Sequence, residues 1–381
     1  MPTAEAASRG GVAARPYLEG LLNDHDAARS ALTGSNFVKR STVAVVYVCF
    51  ERQQLVRAAL SALFRSEGLQ ELDVFISQDG GSNYTIDLPA QAVKFNLVYL
   101  RHPVNLCPGQ HHYLVKSFVF DIMGYESLIV VEEDNIVHPD AIKVLRGLLD
   151  LTVNDTQIGL VSVNDFDNHL LINTTRFGST ALRVAVDLGH LWVFGVHASR
   201  YHAVHSDLRD YFNLIIGKDY PNIDQPPLRD EVAALQAAKG FPPGMPLSQD
   251  AFFVHSLQKA GYTRRLTTMV RLFEPVGWSG LHFREDSMHF YQYFGRSMFS
   301  GRVWEEPREA CVTEEERELL AAECRERLHK LYQKHLGRDA DEGALDAVVK
   351  RLLSGEMNTV ELVHKMVASE EHQQRHLSPS S

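Results

Sequence analysis

Several charged side chains come directly after apolar runs of the sequence. They are Arg52, Asp79 and the triplet Glu132-Glu133-Asp134. If the runs are parallel strands, these groups meet at one edge of a sheet, because ligands bind outside the carboxyl ends of such strands. An arginine can bind phosphate oxygens through two hydrogen bonds, and a carboxylate can hold a divalent ion that bridges a diphosphate. The pattern favours a nucleotide site with a bound metal ion.

The two acidic motifs differ in how much they indicate. Asp79 lies in Gln78-Asp79-Gly80-Gly81, which is also a composition typical of a turn that ends a strand. Three consecutive acids beside a buried strand are costly to desolvate unless a cation or hydrogen-bond donors compensate them. The triplet therefore indicates a metal site more strongly. A buried arginine or lysine paired with Asp134 would argue against that interpretation.

A third acidic residue, Asp250, is the candidate catalytic base. It follows Ser248 at the start of a predicted helix, after the loop Pro242–Pro246. An acid in the first turn also stabilises a helix dipole, so a structural role is the alternative. A carboxylate in such a position can also act as a general base toward a hydroxyl group, and Asp250 is our candidate for that role.

The elements that would hold these residues alternate between two hydrophobic periods. Short apolar runs rich in β-branched residues predict strands at Val43–Phe50, Leu72–Ser77, Phe95–Leu100, Leu128–Val131 and Ile158–Val163. Amphipathic spacing predicts helices at Arg52–Arg65, Gln110–Met123 and Asp140–Leu149. This alternation predicts an α/β fold with a doubly wound, mostly parallel sheet.

The composition divides the chain into four parts. We predict a flexible tail over 1–40 with one short helix, a nucleotide-binding domain over 41–305, a helical domain over 306–375 and a disordered tail over 376–381. Prolines interrupt the second half of the large domain, and loops of this kind usually form binding surfaces. A sheet-like run is expected at Met269–Phe273.

Four motifs in the large domain resemble the GT-A type glycosyltransferases, most closely the eukaryotic β-1,2-N-acetylglucosaminyltransferases. They are Cys49-Phe50-Glu51-Arg52, Ser77-Gln78-Asp79-Gly80, Val131-Glu132-Glu133-Asp134 and Val161-Ser162-Val163-Asn164-Asp165. The resemblance implies that Arg52 and Asp79 hold a uridine nucleotide and that Glu132 belongs to the same site. It also implies that Glu133 approaches the ribose or donor sugar and that Asp134 ligates Mn²⁺ or Mg²⁺. The family usually has Glu-Asp-Asp where this chain has Glu-Glu-Asp.

Other candidates depend on weaker signals. The resemblance implies a stacking face beneath the donor sugar for Trp192, with a core position as the alternative. It also implies a histidine that returns to the metal or diphosphate, with His282 first and His289 second. On the predicted helix Gln110–Met123, the basic residues His111, His112 and Lys116 are candidates for contact with the phosphates, with exposed or capping roles as the alternative.

The helical C-terminal part resembles a small bacterial module with a Tyr-x-x-x-Leu-Gly-Arg-x-x-Asp signature, here Tyr332 to Asp341. The resemblance indicates a bacterial or phage origin. The apolar stripes of this part are explained by helix packing, and contact with a partner protein is the functional alternative.

The bulk composition excludes some classes of protein. The net charge is 38 − 48 = −10, which argues against general nucleic-acid binding. The four cysteines show no metal-binding spacing, and no apolar run is long enough to cross a membrane. We therefore expect free thiols and a cytoplasmic location.

These observations together predict a metal-dependent, inverting glycosyltransferase that moves a sugar, with N-acetylglucosamine among the candidates, from a UDP-sugar to an acceptor hydroxyl. The acceptor class stays open between a glycan, a protein and, less favoured by the acidic charge, a hydroxylated nucleobase. A nucleotidyltransferase is the second class, although no glycine follows the first strand to form its phosphate loop. A non-catalytic carbohydrate- or partner-binding protein on the same fold is the third.

Overall fold

The computed structural model describes residues 10–164, 182–185, 188, 191–218, 223, 225–277, 298, 314–354, 357 and 359–369. Its main feature is a sheet with the strand order β3-β2-β1-β4-β8-β6-β9-β7. The strands are β1 (Val43–Cys49), β2 (Asp73–Gln78), β3 (Asn96–Arg101), β4 (Ser127–Glu132), β6 (Ile158–Ser162), β7 (Leu182–Ala185), β8 (Val193–His197) and β9 (Arg264–Thr268). A small second sheet pairs β5 (Asn135–Val137) with β10 (Phe273–Pro275).

Most strands of the large sheet point the same way. Strands β3, β2, β1 and β4 are parallel neighbours, and β6 and β9 have the same direction. Strand β8 lies antiparallel between β4 and β6, and β7 is antiparallel at the edge. This arrangement confirms the predicted α/β class. The predicted run Met269–Phe273 is wrong as one strand, because β9 ends at Thr268 and β10 begins at Phe273.

Helices cover both faces of the sheet. In chain order the described helices of the large domain are α1 (Gly10–Asn23), α2 (His25–Thr33), α3 (Gln53–Leu63), α4 (Cys107–Ser117), α5 (Ala141–Thr152), α6 (Ala198–Ile215), α7 (Leu228–Ala238) and α8 (Gln249–Lys259). A π-helical turn, Phe118–Ile122, continues α4, and short 3₁₀ turns occupy Leu69–Glu71 and Ala90–Lys94. The α3, α4 and α5 predictions are confirmed to within a few residues, except that the π-turn replaces the end of α4.

Strand β1 shows why the central strands are apolar throughout. Its alternate residues Ala44, Val46 and Val48 belong to the core on one face of the sheet. The intervening residues belong to the core on the other face. A strand covered by helices on both sides has no solvent-facing positions, so the polar alternation of a surface strand is absent.

The N-terminal part differs from the predicted flexible tail. Helices α1 and α2 bury Ala14, Leu18 and Ala28 against the large core. Arg29 donates from Nε and Nη2 to the carbonyl of Ile122 at 3.0 and 2.5 Å, in the π-turn. The prediction of a flexible tail with one short helix is therefore wrong for residues 10–33. The few buried apolar residues of this part, several of them small alanines, gave a weak periodic signal.

The C-terminal part forms its own core. Helices α9 (Glu314–Leu336), α10 (Glu342–Ser354) and α11 (Thr359–Val367) bury Cys324, Leu328 and Leu345 among one another. Met269, which follows β9, belongs to the same apolar cluster. Packing therefore accounts for the apolar stripes of these helices, and Met269 from the large domain packs with them. Partner binding through this part stays a prediction.

Two further sequence expectations concern the thiols and the membrane. Cys49, Cys107 and Cys324 are buried thiols that form no disulfide with one another. Within the described ranges, the helices are all too short or too polar to span a lipid bilayer.

Candidate active site

The charged residues singled out in the sequence meet at the carboxyl edge of the sheet. Strands β2, β1, β4 and β8 are consecutive neighbours there. The register places Cys49 beside Gln78 and Val48 beside Glu132. On the other side of β4, Val193 lies beside Val131, so Trp192 reaches the same edge from the antiparallel strand β8.

Arg52 joins two of the three consecutive acids. Its Nε donates to Glu133 Oε1 at 2.5 Å and its Nη2 donates to Asp134 Oδ2 at 3.0 Å. The backbone N–H of Phe50 donates to the other Glu133 oxygen at 2.8 Å. Burial opposes the charge on Arg52, but Glu133 and Asp134 outweigh it and raise the pKa of the guanidinium. Arg52 is thus held as a cation between two carboxylates.

The carboxylate of Asp134 has a second polar neighbour and a close backbone contact. Asn135 Nδ2 donates to Asp134 Oδ1 at 3.0 Å, while the side-chain oxygen of Asn135 is buried without a hydrogen bond. A Cβ atom on Gly277 would lie 2.5 Å from Asp134 Oδ2, and Val276 N–H donates to the Asp134 carbonyl. Only a glycine leaves this carboxylate in place.

The described residues do not by themselves fit a divalent metal ion. Both oxygens of Asp134 already accept hydrogen bonds, one of them from the cation of Arg52. Throughout the part of the chain that the structure describes, no three His, Cys, Asp or Glu side chains are grouped so that they could hold a metal. The second predicted ligand, His282, lies outside the described residues, as does His289.

Glu132, the first acid of the triplet, belongs to another cluster on the same edge. Its Oε1 lies 3.2 Å from His112 Nε2. Lys116, one turn further along α4, donates from Nζ to Gln249 Oε1 at 3.4 Å, and the Gln249 amide donates to Asp250. Helices α4 and α8 therefore bring the predicted base Asp250 to the acidic triplet. Ser248 caps α8 by accepting from Ala251 N–H at 3.3 Å, as the sequence predicted.

The protonation of this cluster is shifted by burial and by its own charges. Burial first and the Glu132 carboxylate second raise the pKa of Asp250 to about 6, against the opposing effect of His112 and Lys116. Burial lowers the pKa of Lys116 to about 8, although Asp250 and Glu132 favour its charge. Burial and Asp134 raise the pKa of Glu132. A carboxylate with a pKa near 6 is ionised at neutral pH and is basic enough to accept a proton.

Distant likenesses to solved structures accompany this geometry. The chain is similar to residues 1–349 of S. aureus TarS, with a TM-score of 0.35 and 12% identity over 89% of this chain and 78% of that one. It is also similar to the glycosyltransferase GlyE of Streptococcus pneumoniae TIGR4, with a TM-score of 0.26 and 13% identity over 50% of this chain and 44% of that one. No protein-family model and no curated protein sequence matches the chain. At such TM-scores the likeness is too loose to assign site residues, which rest on the chain's own contacts.

Asp79 bonds to the loop that precedes α4. Its carboxylate accepts from the backbone N–H groups of Gly80 and Leu106 at 2.8 and 2.6 Å, and only 6% of the residue is exposed. Burial raises the pKa of Asp79 to about 7 despite these hydrogen bonds. A Cβ on Gly80 would lie 2.3 Å from the Val104 carbonyl oxygen, so the glycine is needed for this turn. Asp79 therefore holds the loop, and its predicted nucleotide contact stays a prediction.

The remaining candidates have structural partners. Trp192 packs against the apolar core, with its ring edge-on to Phe273 at 6.1 Å between centroids. His111 bonds to Ser77 Oγ at 2.7 Å, and Ser77 also bonds to His102 at 2.9 Å. His111, His112 and Lys116 are all buried, so the exposed alternative for them is wrong.

Two residues of the site were not predicted from the sequence. Asn135 orients Asp134, and Gln249 links Lys116 to Asp250. Both are neighbours of predicted residues, so a search for amides beside the acidic motifs would have found them.

Proposed function

We propose that this protein is a glycosyltransferase that moves a sugar from a UDP-sugar to an acceptor hydroxyl with inversion. The proposal depends on one observation, a chain of contacts that connects Asp250 to the acidic triplet. The contacts run through Gln249, Lys116 and His112. Asp250 and Arg52 approach the triplet from its two ends. A donor diphosphate beside Arg52 and an acceptor hydroxyl beside Asp250 would meet over the carboxyl end of β4.

Donor binding in this proposal centres on Arg52. The N–H groups of its guanidinium already point at two carboxylates. The same planar arrangement of donors can bind two phosphate oxygens. The incoming diphosphate would compete with Asp134, the more exposed of the two acids at 26% against 10% for the Glu133 side chain. Glu133 would keep Arg52 oriented through the shorter of its two bonds. Asp79 supports this edge from the neighbouring strand β2.

Chemistry in this proposal requires one proton transfer. The Asp250 carboxylate takes the proton of the acceptor hydroxyl while that oxygen attacks the anomeric carbon from the face opposite the diphosphate. The bond from the anomeric carbon to the diphosphate oxygen breaks, and its electron pair leaves with the diphosphate. The cation of Arg52 stabilises the charge that develops there.

Divalent-metal dependence, with Mn²⁺ or Mg²⁺, stays a prediction. The described residues do not by themselves provide a site for such an ion. Asp134 is the described residue that would hold it, after its bond to Arg52 is broken. The donor sugar, N-acetylglucosamine among the candidates, and the cytoplasmic location also stay predictions.

The test is the release of UDP from a panel of UDP-sugars, each with Mn²⁺, with Mg²⁺ and with EDTA. We expect one donor to be hydrolysed slowly and its transfer to depend on Asp250. Wild-type protein that neither binds nor cleaves any UDP-sugar would overturn the proposal.

A non-catalytic binding protein on the same fold is the second candidate. The bond between Arg52 and Asp134 favours it, because it neutralises the carboxylate expected to hold the metal. Calorimetry with UDP, in the presence and absence of Mn²⁺, separates the two. A non-catalytic module should show no metal-dependent affinity for the nucleotide.

A further inference from the structure

A cavity of about 800 Å³ lies between helices α1 and α6, away from the candidate active site. Helix α4 separates the two places. Its residues Tyr113 and Ser117 line the cavity, whereas His112 and Lys116, each one position earlier, contact the acidic cluster. Adjacent residues of a helix point in directions about 100° apart. The cavity is therefore not part of the site described above.

The π-helical turn after α4 places a carboxylate in this cavity. Asp121, in that turn, accepts from the Tyr201 hydroxyl at 2.7 Å, and Tyr201 is in turn bonded to Ser117 Oγ at 2.9 Å. Isolated π-turns are uncommon and are often found at functional sites. The Asp121 side chain is 17% exposed, so it is fixed by the protein and still reachable from the cavity.

Two histidines face the two oxygens of this carboxylate without bonding to them. His202 Nδ1 lies 3.8 Å from Asp121 Oδ1, and His205 Nε2 lies 3.8 Å from Asp121 Oδ2. These distances are too long for hydrogen bonds but suit a bridging hydroxyl or water. Burial lowers the pKa of His205, which favours its neutral form.

The walls of the cavity are polar and its floor is aromatic. Helix α1 contributes Arg15, Glu19 and Asn23, which are four residues apart and share one face of the helix. Along the floor, the rings of Tyr113 and Phe212 are stacked with centroids 4.1 Å apart. Tyr113 and Phe212 are 8% and 3% exposed and cover each other's faces, so a ligand mainly meets the polar walls, which suit a molecule rich in hydroxyl groups.

The arginine and carboxylate charges that line the cavity sum to zero. Arg15 pairs with Glu19 at 3.2 Å, and the remaining two charges are the cation of Arg209 and the anion of Asp121. A site for phosphate would have excess positive charge, and a site for a metal would need several grouped ligands, which no part of the described chain offers. The balance favours a neutral polar ligand.

We infer that this cavity is a saccharide-binding site, in which the two oxygens of Asp121 accept hydrogen bonds from adjacent hydroxyls of one sugar ring. His202 and His205 flank these hydroxyls, and their partly exposed imidazole rings are the aromatic surfaces that a sugar ring can reach. The inference does not depend on the proposed glycosyl transfer, because none of its residues belongs to the candidate active site.

The test is saturation-transfer difference NMR on the full-length protein, followed by calorimetry. The probes are the methyl glycosides of glucose, galactose, mannose and N-acetylglucosamine and the disaccharides of each, with UDP added to occupy any nucleotide site. We expect at least one probe to bind and Asp121→Asn to weaken it about tenfold, the effect of losing one charged hydrogen bond. Asp150→Asn, at an exposed acid on α5, should leave binding unchanged.

Two further variants make the outcome decisive. His202→Ala, at an exposed residue that flanks the bound hydroxyls, should weaken binding even if Asp121→Asn disturbs the fold. Asp250→Asn should leave this binding unchanged whatever it does to transfer, so failure here and failure of the proposed function are distinguishable. Absence of binding by every probe at about 10 mM, or binding unaffected by both cavity variants, would overturn the inference.

Discussion

The guanidinium of Arg52 lies 3.0 Å from Asp134, the carboxylate that the sequence assigned to a metal ion. The same guanidinium bonds to Glu133 at 2.5 Å. One cation thus bonds to two acids at the end of β4. These bonds offset the free-energy cost of burying the two carboxylates beside the strand. A metal ion or a diphosphate at this place must compete with a bond that already exists.

This competition predicts the behaviour of Arg52→Gln. Without the guanidinium, Asp134 is released, so the affinity for Mn²⁺ in the absence of nucleotide should rise, while the affinity for UDP should fall. Stability should fall by about 1–3 kcal/mol, because the nearly buried Glu133 loses its charged partner. Calorimetry with Mn²⁺ and UDP and urea unfolding measure these changes.

Arg57→Gln is the matched control for this variant, since Arg57 is exposed on the neighbouring helix α3. It should change neither affinity. Unchanged Mn²⁺ affinity in Arg52→Gln would show that Asp134 is not a metal ligand, and would favour the non-catalytic candidate.

Asp250→Asn is predicted to separate binding from transfer. Asparagine has nearly the same shape and can keep the contact with Gln249, but it cannot accept the proton of an acceptor hydroxyl. The transfer rate should fall about 10²- to 10⁴-fold with little change in UDP affinity. Initial rates on the preferred donor and acceptor, with Asp230→Asn as the exposed control on α7, measure the effect. Full turnover in Asp250→Asn would assign the base to another residue.

The same residue predicts the pH dependence of the reaction. The pKa of Asp250 is raised to about 6, and the base must be deprotonated to work. The rate should therefore fall as the pH drops through about 6 and be level above about 7. Lys116→Met removes a cation that favours ionised Asp250, so the acidic limb should move to higher pH. A limb that stays in place in Lys116→Met would contradict this coupling.

The sequence was sufficient to predict the elements with strong local signals. The run Val43–Phe50 predicted a strand covered on both faces, and Ser248 predicted the start of the helix that carries Asp250. The meeting of Arg52 with the triplet at one sheet edge followed from the parallel order alone. In these cases the signal lies in adjacent residues or in topology.

Features that depend on contacts between distant residues were not predictable. Strand β8 (Val193–His197) runs opposite to β4, and apolar periodicity carries no direction. The bond of Arg52 to Asp134 joins residues 82 positions apart, and whether an arginine faces an acid or a ligand depends on side-chain geometry. The packing of α1 depends on small buried residues such as Ala14, whose burial no local pattern indicated.

Asp79 predicts a pH-dependent stability of known sign. Its pKa is raised to about 7 in the folded protein, against about 3.9 for an unperturbed aspartate. Between these values the folded state binds more protons than the unfolded state, so stability should fall as the pH rises from about 4 to about 7. Asp79→Asn resembles the protonated form and should be more stable than the wild type at pH 8, by up to about 4 kcal/mol, and nearly equal to it at pH 4. Urea unfolding at both pH values measures these stabilities, with Asp87→Asn, at an exposed position, as the control. Equal stability of the wild type and Asp79→Asn at pH 8 would contradict the prediction.

The backbone contact at Gly277 gives the last prediction. A Cβ at this position would lie 2.5 Å from Asp134 Oδ2, well inside van der Waals contact, so Gly277→Ala must move the carboxylate or the segment after β10. Because the contact is at the end of the small sheet and not in the core, the variant should fold, with a loss of stability of about 1–2 kcal/mol. Metal-dependent donor cleavage should fall much more than this loss of stability explains, since Asp134 is displaced. UDP affinity without metal should rise, because Arg52 loses the carboxylate that competes with the diphosphate. Gly20→Ala, on helix α1 where an added Cβ meets nothing within 4 Å, controls for the effect of an added methyl group. If Gly277→Ala cleaves the donor as well as the wild type does, the position of Asp134 does not matter to the reaction, and the site must be sought elsewhere on the sheet edge.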